Sequence, residues 1–334
     1  MDSPQPKASN TLRKVAWWLA SILISGVALY YALRGVDWAA VWRTIAGAQW
    51  RYLLAAAAIT SGSFFFRGLR WRILLNAEER FSVGTVFWAN MAGYMGNNFL
   101  PARAGELVRS ALISARSSLS KTYVLTTALS ERLMDVIALV LGSSIVLLTV
   151  SPKPRWMADL SRSMAIVAGI GAVAIMVLPH TGRLLENILL RVPLPAGLRQ
   201  GLLKMAEQIL LGMRAFHDWG RFAGFVFLTL VIWAGDSVSA IVVARALGIH
   251  IALGVALLLL TGLGLGSALP STPGYVGVYQ FVAVTILIPF GISRDAALAY
   301  ILVIQALGYV LVTVLGLPGL YRLKGSGLLR SVRE

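Results

Sequence analysis

The chain contains no cysteine, which excludes disulfides, thiolate nucleophiles, iron–sulfur clusters and cysteine-ligated zinc. Histidine is nearly as scarce. His180, His217 and His250 stand far apart and fit neither a His-x3-His nor an HExxH spacing, so no metal site is expected. Charge is thin as well: only 13% of the 334 residues are Asp, Glu, Lys or Arg, where a soluble domain carries about a quarter. With a mean hydropathy of +0.75, water is not the main solvent. Catalytic signatures are missing too, since no nucleophile stands beside a base, no glycine loop suits a phosphate and no carboxylate pair suits acid–base work. Gly262, Gly264 and Gly266 spell GLGLG inside an apolar run, without the strand-to-helix setting of a dinucleotide site, and suit close helix packing instead. Neither an enzyme nor a cofactor is expected.

What the chain has in abundance is apolar length and positive charge. Runs able to cross a hydrocarbon core of about 30 Å recur from end to end, at 15–33, 52–66, 122–150, 163–178, 222–244 and 296–317. The formal net charge of +16 is better explained by anionic lipid head groups and the positive-inside bias than by nucleic acid. The first run follows Arg13 and Lys14 but lacks a small-residue cleavage site, so it reads as a retained anchor. Residues 197–217 look like a basic amphipathic helix on the cytoplasmic surface. On the other face, 37–50 carry Trp38, Trp42 and Trp50 at interfacial spacing.

Two apolar stretches behave differently. Residues 81–100 and 251–269 each run into a Leu-Pro step, Leu100-Pro101 and Leu269-Pro270, and each proline is followed four residues later by a glycine, Gly105 and Gly274. Proline removes a helix donor and glycine permits positive φ, so both helices should break there. A break at membrane depth is tolerated only where protein or a wet cavity surrounds it. Pro101 and Pro270 stand 169 residues apart, and the flanking runs are offset by much the same amount. The alternative is two unrelated proline-kinked helices.

Charge threading favours re-entrant hairpins, because they keep 103–121 on the same side as the basic segment 67–80 and gather most of the 30 Lys and Arg inside. The expected fold is an all-α integral membrane protein of about six full spans plus two re-entrant broken hairpins in an inverted repeat. Residues 1–334 form one domain: a first unit at about 52–150, a connecting span and amphipathic segment at 151–221, and a second unit at about 222–318. Both termini are cytoplasmic. Interrupted segments at matching places in two halves point to a transport site between them.

The densest polar cluster surrounds the first break: Asn97, Asn98, Arg103, Glu106 and Arg109. Gly105 and Glu106 begin the returning helix, whose free amides favour an anion, and the two arginines supply forks suited to phosphate. Alternatively, Glu106 and the arginines only pair with one another. Within the span 122–150, Glu131 and Asp135 share a helix face while Arg132 points about a hundred degrees away, which suits either an internal ion-pair network or a proton-responsive site. Asp236 has no near charged neighbour in sequence, so it hydrogen-bonds to Ser237 or Ser239 or is protonated. The second break, with Pro273, Gly274, Gly277 and Gln280, is uncharged and shapes a cavity.

With NNFLPARAGELVR at 97–109, SERLMD at 130–135 and LPSTPGYVG at 269–277, the chain resembles the transmembrane region of the lysylphosphatidylglycerol synthases, a family also described as flippase-like. The family's LP-x-R-x-G-E pattern falls on Leu100, Pro101, Arg103, Gly105 and Glu106, its ER-x-x-D on Glu131, Arg132 and Asp135, and its later Pro-Gly motif on Pro273, Gly274 and Gly277. Tyr275 stands where a second glycine is usual, and Gln280 where an acidic residue is common. The resemblance implies a multi-pass protein of the bacterial inner membrane that moves a phospholipid, hopanoid or lipid-linked intermediate between leaflets. Its partners would be membrane lipids, anionic or lipid-linked, and lipid-biosynthesis enzymes, with no nucleic acid. The soluble aminoacyl-transferase domain of the full-length synthases is not expected. An accessory subunit or membrane enzyme of a lipid-modifying pathway, or a small-molecule secondary transporter, is the alternative.

Overall fold

The structure is a computed structural model that describes residues 8–100, 104–149, 218–269 and 271–324, with isolated positions between 159 and 216. Pro101, Arg103, Pro270, the span expected at 163–178 and nearly all of the amphipathic segment expected at 197–217 lie outside the described residues. The described residues are mostly helical, with no strand among them. In chain order the helices are α1 (Ala8–Leu33), α2 (Trp38–Ala46), α3 (Trp50–Leu75), α4 (Val83–Phe99), α5 (Gly105–Ser114), α6 (Lys121–Thr149), α7 (Trp219–Ala246), α8 (Leu253–Ser267), α9 (Val278–Leu287) and α10 (Arg294–Lys324).

Local chemistry sets several boundaries. Side-chain oxygens of Asp37, Ser82 and Asp218 accept from the first free amides of α2, α4 and α7, the usual remedy for orphan donors at a helix start. Between α1 and α2 the chain bends by 86°, with Gly35 at φ +74° in the turn, and Trp38 and Trp42 remain exposed. An amphipathic helix set across the first run is the geometry an interfacial segment needs.

Each half closes on itself as a hairpin. Glu79, before α4, accepts from the Ser118 amide and hydroxyl at 3.0 and 2.8 Å, so α4 and α5 leave and return to one end of the bundle. At the other end the Ala246 carbonyl accepts from Gln49 N at 2.8 Å, and Asp295 accepts from Asp37 N at 2.9 Å. One apolar cluster joins Val41, Leu247, Val255 and Leu287 there, so α8 and α9 likewise leave and return to this opposite end. A second cluster, around Trp71, Phe81, Leu112, Tyr123 and Phe225, closes the first end.

The halves then interlock in matching ways: α3 crosses α7, α4 lies along α10, and α8 lies along α6. The α3–α7 crossing is antiparallel, because Thr60, Arg67 and Arg70 meet Ser239, Trp233 and Thr229 in descending order.

Among the described residues, four stretches are long and apolar enough to cross a membrane: Trp50–Leu75, Trp219–Ala246, Pro273–Phe290 and Arg294–Leu323. The bent α1–α2 pair would add a fifth. Of the six expected full spans, 163–178 lies mostly outside the described residues. The α6 helix carries Glu131, Arg132 and Asp135, and the stretch Pro273–Phe290, expected as the return arm of a hairpin, has span length by itself. Large apolar side chains such as Leu23, Leu54, Phe227, Leu230 and Val314 are exposed on the outer faces, as lipid-facing positions are. One boundary needs correcting. The run expected to end at 66 continues as helix to Leu75, so Arg67 and Arg70 belong to the helix and Arg70 is fully buried instead of lying in a basic cytoplasmic loop.

Candidate functional site: a buried ion network and two facing helix breaks

Glu131 and Asp135, one turn apart on α6, form an acidic pair that a single arginine satisfies. Arg70 of α3 donates to Glu131 Oε1 from Nε at 3.2 Å and Nη2 at 2.9 Å, and to both Asp135 oxygens at 2.6 and 2.9 Å. Its Nη1 also reaches Thr229 of α7 at 3.1 Å, and its charge lies over the Phe225 ring at 5.0 Å. The other oxygen of Glu131 accepts from Arg109 of α5 at 3.0 Å. Arg109 further donates to Glu106, to Asn90 Oδ1 at 2.7 Å and to the Ala128 carbonyl at 3.4 Å, and it stacks over Trp71 at 4.5 Å. Arg132 reaches Glu106 Oε1 at 3.1 Å and closes the circuit to Asp135 at 3.5 Å.

The first break holds this network in place through close backbone approach. A Cβ on Gly105 would overlap the Gly93 carbonyl and the backbone of Asn97, and one on Gly93 would overlap the Arg109 side chain. Glycine at both positions lets α5 lie against α4, which delivers Glu106 and Arg109 to α6. Asn97 donates to Glu106 at 3.4 Å; Asn98 is half-buried. Of the residues singled out in the sequence, Glu106, Arg109, Glu131, Arg132 and Asp135 thus meet in one cluster. Arg109 is wholly buried there, with its guanidinium shared among protein acceptors. Sequence reasoning missed Arg70, Asn90 and Trp71.

Asp236 is not alone. It forms an ion pair with Arg67 across α3 and α7, and Arg67 lies over the Trp233 ring at 5.2 Å. The two residues are 169 apart, the same offset that separates Pro101 from Pro270. Under that offset Thr60 becomes Thr229 and Arg70 becomes Ser239, so the Thr60–Ser239 and Arg70–Thr229 hydrogen bonds exchange places with each other. Together the charged groups inside the bundle comprise Arg67, Arg70, Arg109 and Arg132 against Glu106, Glu131, Asp135 and Asp236, of which Arg67, Arg132 and Asp236 are partly buried and the rest buried, and every one is paired. The charges balance, as an apolar surrounding demands.

The second break is polar but uncharged. Pro273–Tyr275 forms a short 3-10 turn with Gly274 at φ +72° and Tyr275 at φ +62°. Gln305 and Tyr309 of α10 both donate to the Gly274 carbonyl at 3.0 Å, and Gln280 accepts from Gly277 N at 2.7 Å. Gly277 packs on the Ser25 carbonyl of α1, where a Cβ would overlap it. The turn also touches α4, and the Phe99 and Tyr309 rings lie 6.2 Å apart, so the two breaks face each other. Tyr275 occupies the positive φ that glycine takes readily and stacks on Tyr279 at 4.8 Å.

Two broken hairpins entering from opposite ends and a charge-balanced cluster among long apolar helices define a multi-pass membrane protein with an internal polar site. The chain belongs to the lysylphosphatidylglycerol synthase TM region family, which it matches over residues 18–316. It is 28% identical over 302 residues to the glycosyltransferase AglD of Haloferax volcanii, covering 78% of this chain and 47% of that protein. It therefore spans about half the length of that relative. It is also 22% identical over 290 residues to a UPF0104 membrane protein of Methanothermobacter thermautotrophicus, covering 82% of this chain and 84% of that protein.

Proposed function

We propose that this protein moves a lipid or lipid-linked intermediate between the leaflets of the bacterial inner membrane and does not transform it chemically. Its two hairpins are re-entrant and belong to inverted repeat units of about 52–150 and 222–318, with both termini cytoplasmic. The supporting observation is the pair of facing breaks, reached from opposite ends of one bundle, because interrupted helices in inverted halves are the mark of alternating-access transporters. Arg103 is the residue proposed to hold an anionic head group, alongside Asn98 and the Gly105 turn. Arg109 and Glu106 act as positioning residues that fix the hairpin on α6. Membrane lipids, anionic or lipid-linked, are the cargo, and lipid-biosynthesis enzymes are the expected partners.

A second reading comes from the activity for which one relative is named. The match to about half of a glycosyltransferase supports a role as the membrane portion of a lipid-modifying pathway. Leaflet-resolved transfer of fluorescent lipids in proteoliposomes tests the first reading. Transfer above that of protein-free vesicles is the expected result. No transfer, together with turnover of a lipid-linked sugar by the same preparation, favours the second.

A further inference from the structure

The 169-residue offset relates the buried network to a different environment in the second half. Asn90, Arg109, Glu131 and Asp135 become Leu259, Val278, Tyr300 and Ile304, so the equivalent place among α7, α8, α9 and α10 carries no charge of its own. There, between those helices and α3, lies a cavity of about 300 Å³. Its walls include Phe64, Leu259, Leu263, Ile304 and Leu307, and its polar end is formed by Arg67, Asp236, Thr60 and Ser239. Arg67 reaches Asp236 through Nη2, while its Nε is buried with no hydrogen-bond partner.

We propose that this cavity is the binding site for a zwitterionic lipid bearing a primary amine, with the phosphate on Arg67, the ammonium on Asp236 and a chain along Leu259, Leu263 and Ile304. The inference rests on the lipid-translocation reading and assigns a second lipid-binding place, separate from the Arg103 head-group site. Charge conservation selects the ligand. A net-charged head group inserted between Arg67 and Asp236 leaves one buried charge unpaired, which is costly in an apolar interior. An uncharged head group leaves the pair closed and the Arg67 Nε–H unsatisfied. A zwitterion replaces one ion pair with two, and its phosphate engages the Nε edge of the guanidinium fork. A primary ammonium also donates to Asp236 and to the Thr60 and Ser239 hydroxyls, which a quaternary ammonium cannot do.

The test uses the purified 334-residue chain in detergent, with thermal unfolding followed against added phosphatidylethanolamine, phosphatidylcholine, phosphatidylglycerol and diacylglycerol. Phosphatidylethanolamine is expected to bind at least about tenfold more tightly than the other three. Gly308 lines the cavity and a Cβ there meets open space, so Gly308→Leu fills the site with the helix intact and should abolish that preference. The paired change Arg67→Met with Asp236→Leu removes both charges together and should do the same; if it fails to fold, Gly308→Leu carries the test. Equal or tighter binding of phosphatidylglycerol or diacylglycerol overturns the proposal, as does a preference that survives Gly308→Leu. A preference without leaflet transfer supports this site and fails the transport reading; transfer without a preference fails this site alone.

Discussion

Arg67 of α3 and Asp236 of α7 stand 169 residues apart in the chain and form an ion pair with each other where the two helices cross. In two antiparallel helices related by a two-fold axis, equivalent positions come together only near that axis. The pair therefore marks the junction of the halves, and one residue of it is an acid and the other a base.

Removing one member of the balanced cluster should be far more damaging to stability than removing Arg103, the residue proposed to hold the head group. Arg70→Met leaves the cluster one positive charge short, with Glu131 held by Arg109 and Asp135 by Arg132, so a loss of about 3–5 kcal/mol is expected, read as a large fall in melting temperature and yield of detergent-solubilised protein. Arg103→Ala should leave melting unchanged and abolish lipid transfer. Equal stability losses in the two variants would count against the assigned roles.

Backbone contact at the first hairpin gives a prediction about size alone. Gly105→Ala should destabilise the protein strongly, because a methyl group there collides with backbone that cannot move without separating α4 from α5. Gly142 sits in α6 with open space at its Cβ, so Gly142→Ala should be neutral or stabilising by up to about 1 kcal/mol. Thermal unfolding of both variants makes the comparison.

Topology is testable because the chain has no cysteine. Glu79→Cys and Ser118→Cys should label from one side of the membrane, the cytoplasmic one, and Asp37→Cys and Asp295→Cys from the other. Labelling of positions 79 and 118 from opposite sides by an impermeant maleimide would sink the hairpin reading of α4 and α5.

Cross-hairpin polar contacts predict a graded effect at the second break. Tyr309→Phe removes one of the two donors to the Gly274 carbonyl, while Gln305 keeps the other. A loss of about 0.5–1.5 kcal/mol is expected. Gln305→Leu in the same background should cost more than the sum of the two single changes, since the carbonyl then has neither donor.

The helical class, the two breaks and two groups of charged residues, Glu106 with Arg109 and Glu131 with Arg132 and Asp135, were legible in the sequence from short-range spacing. The joining of the two groups into one cluster was not. Glu131 and Asp135 one turn apart declare a shared face, and Leu-Pro followed by Gly declares a break. Arg67 and Arg70 were lost because a run of arginines after an apolar stretch reads as its end. Their i, i+3 spacing in RGLRWR was the available signal, since it places both on one face of a continuing helix. The partner of Asp236 was hidden by 169 residues of intervening chain, although the repeat offset itself pointed to position 67.

The concentration of ion pairs on α3, α5 and α6, with Asp236 of α7 the one charged partner from the second half, leaves the molecule uneven in stiffness. Guanidinium–carboxylate contacts in an apolar interior are directional and break only at a cost of several kcal/mol, whereas the Leu, Val and Ile contacts of α7–α10 are non-directional and can slide. The first half is thus a fixed frame and the second a compliant one. Amides of α4, α5 and α6 should exchange with deuterium more slowly than those of α8 and α9, and displacement during a transport cycle should fall on the half that has hydrocarbon where its twin has charge.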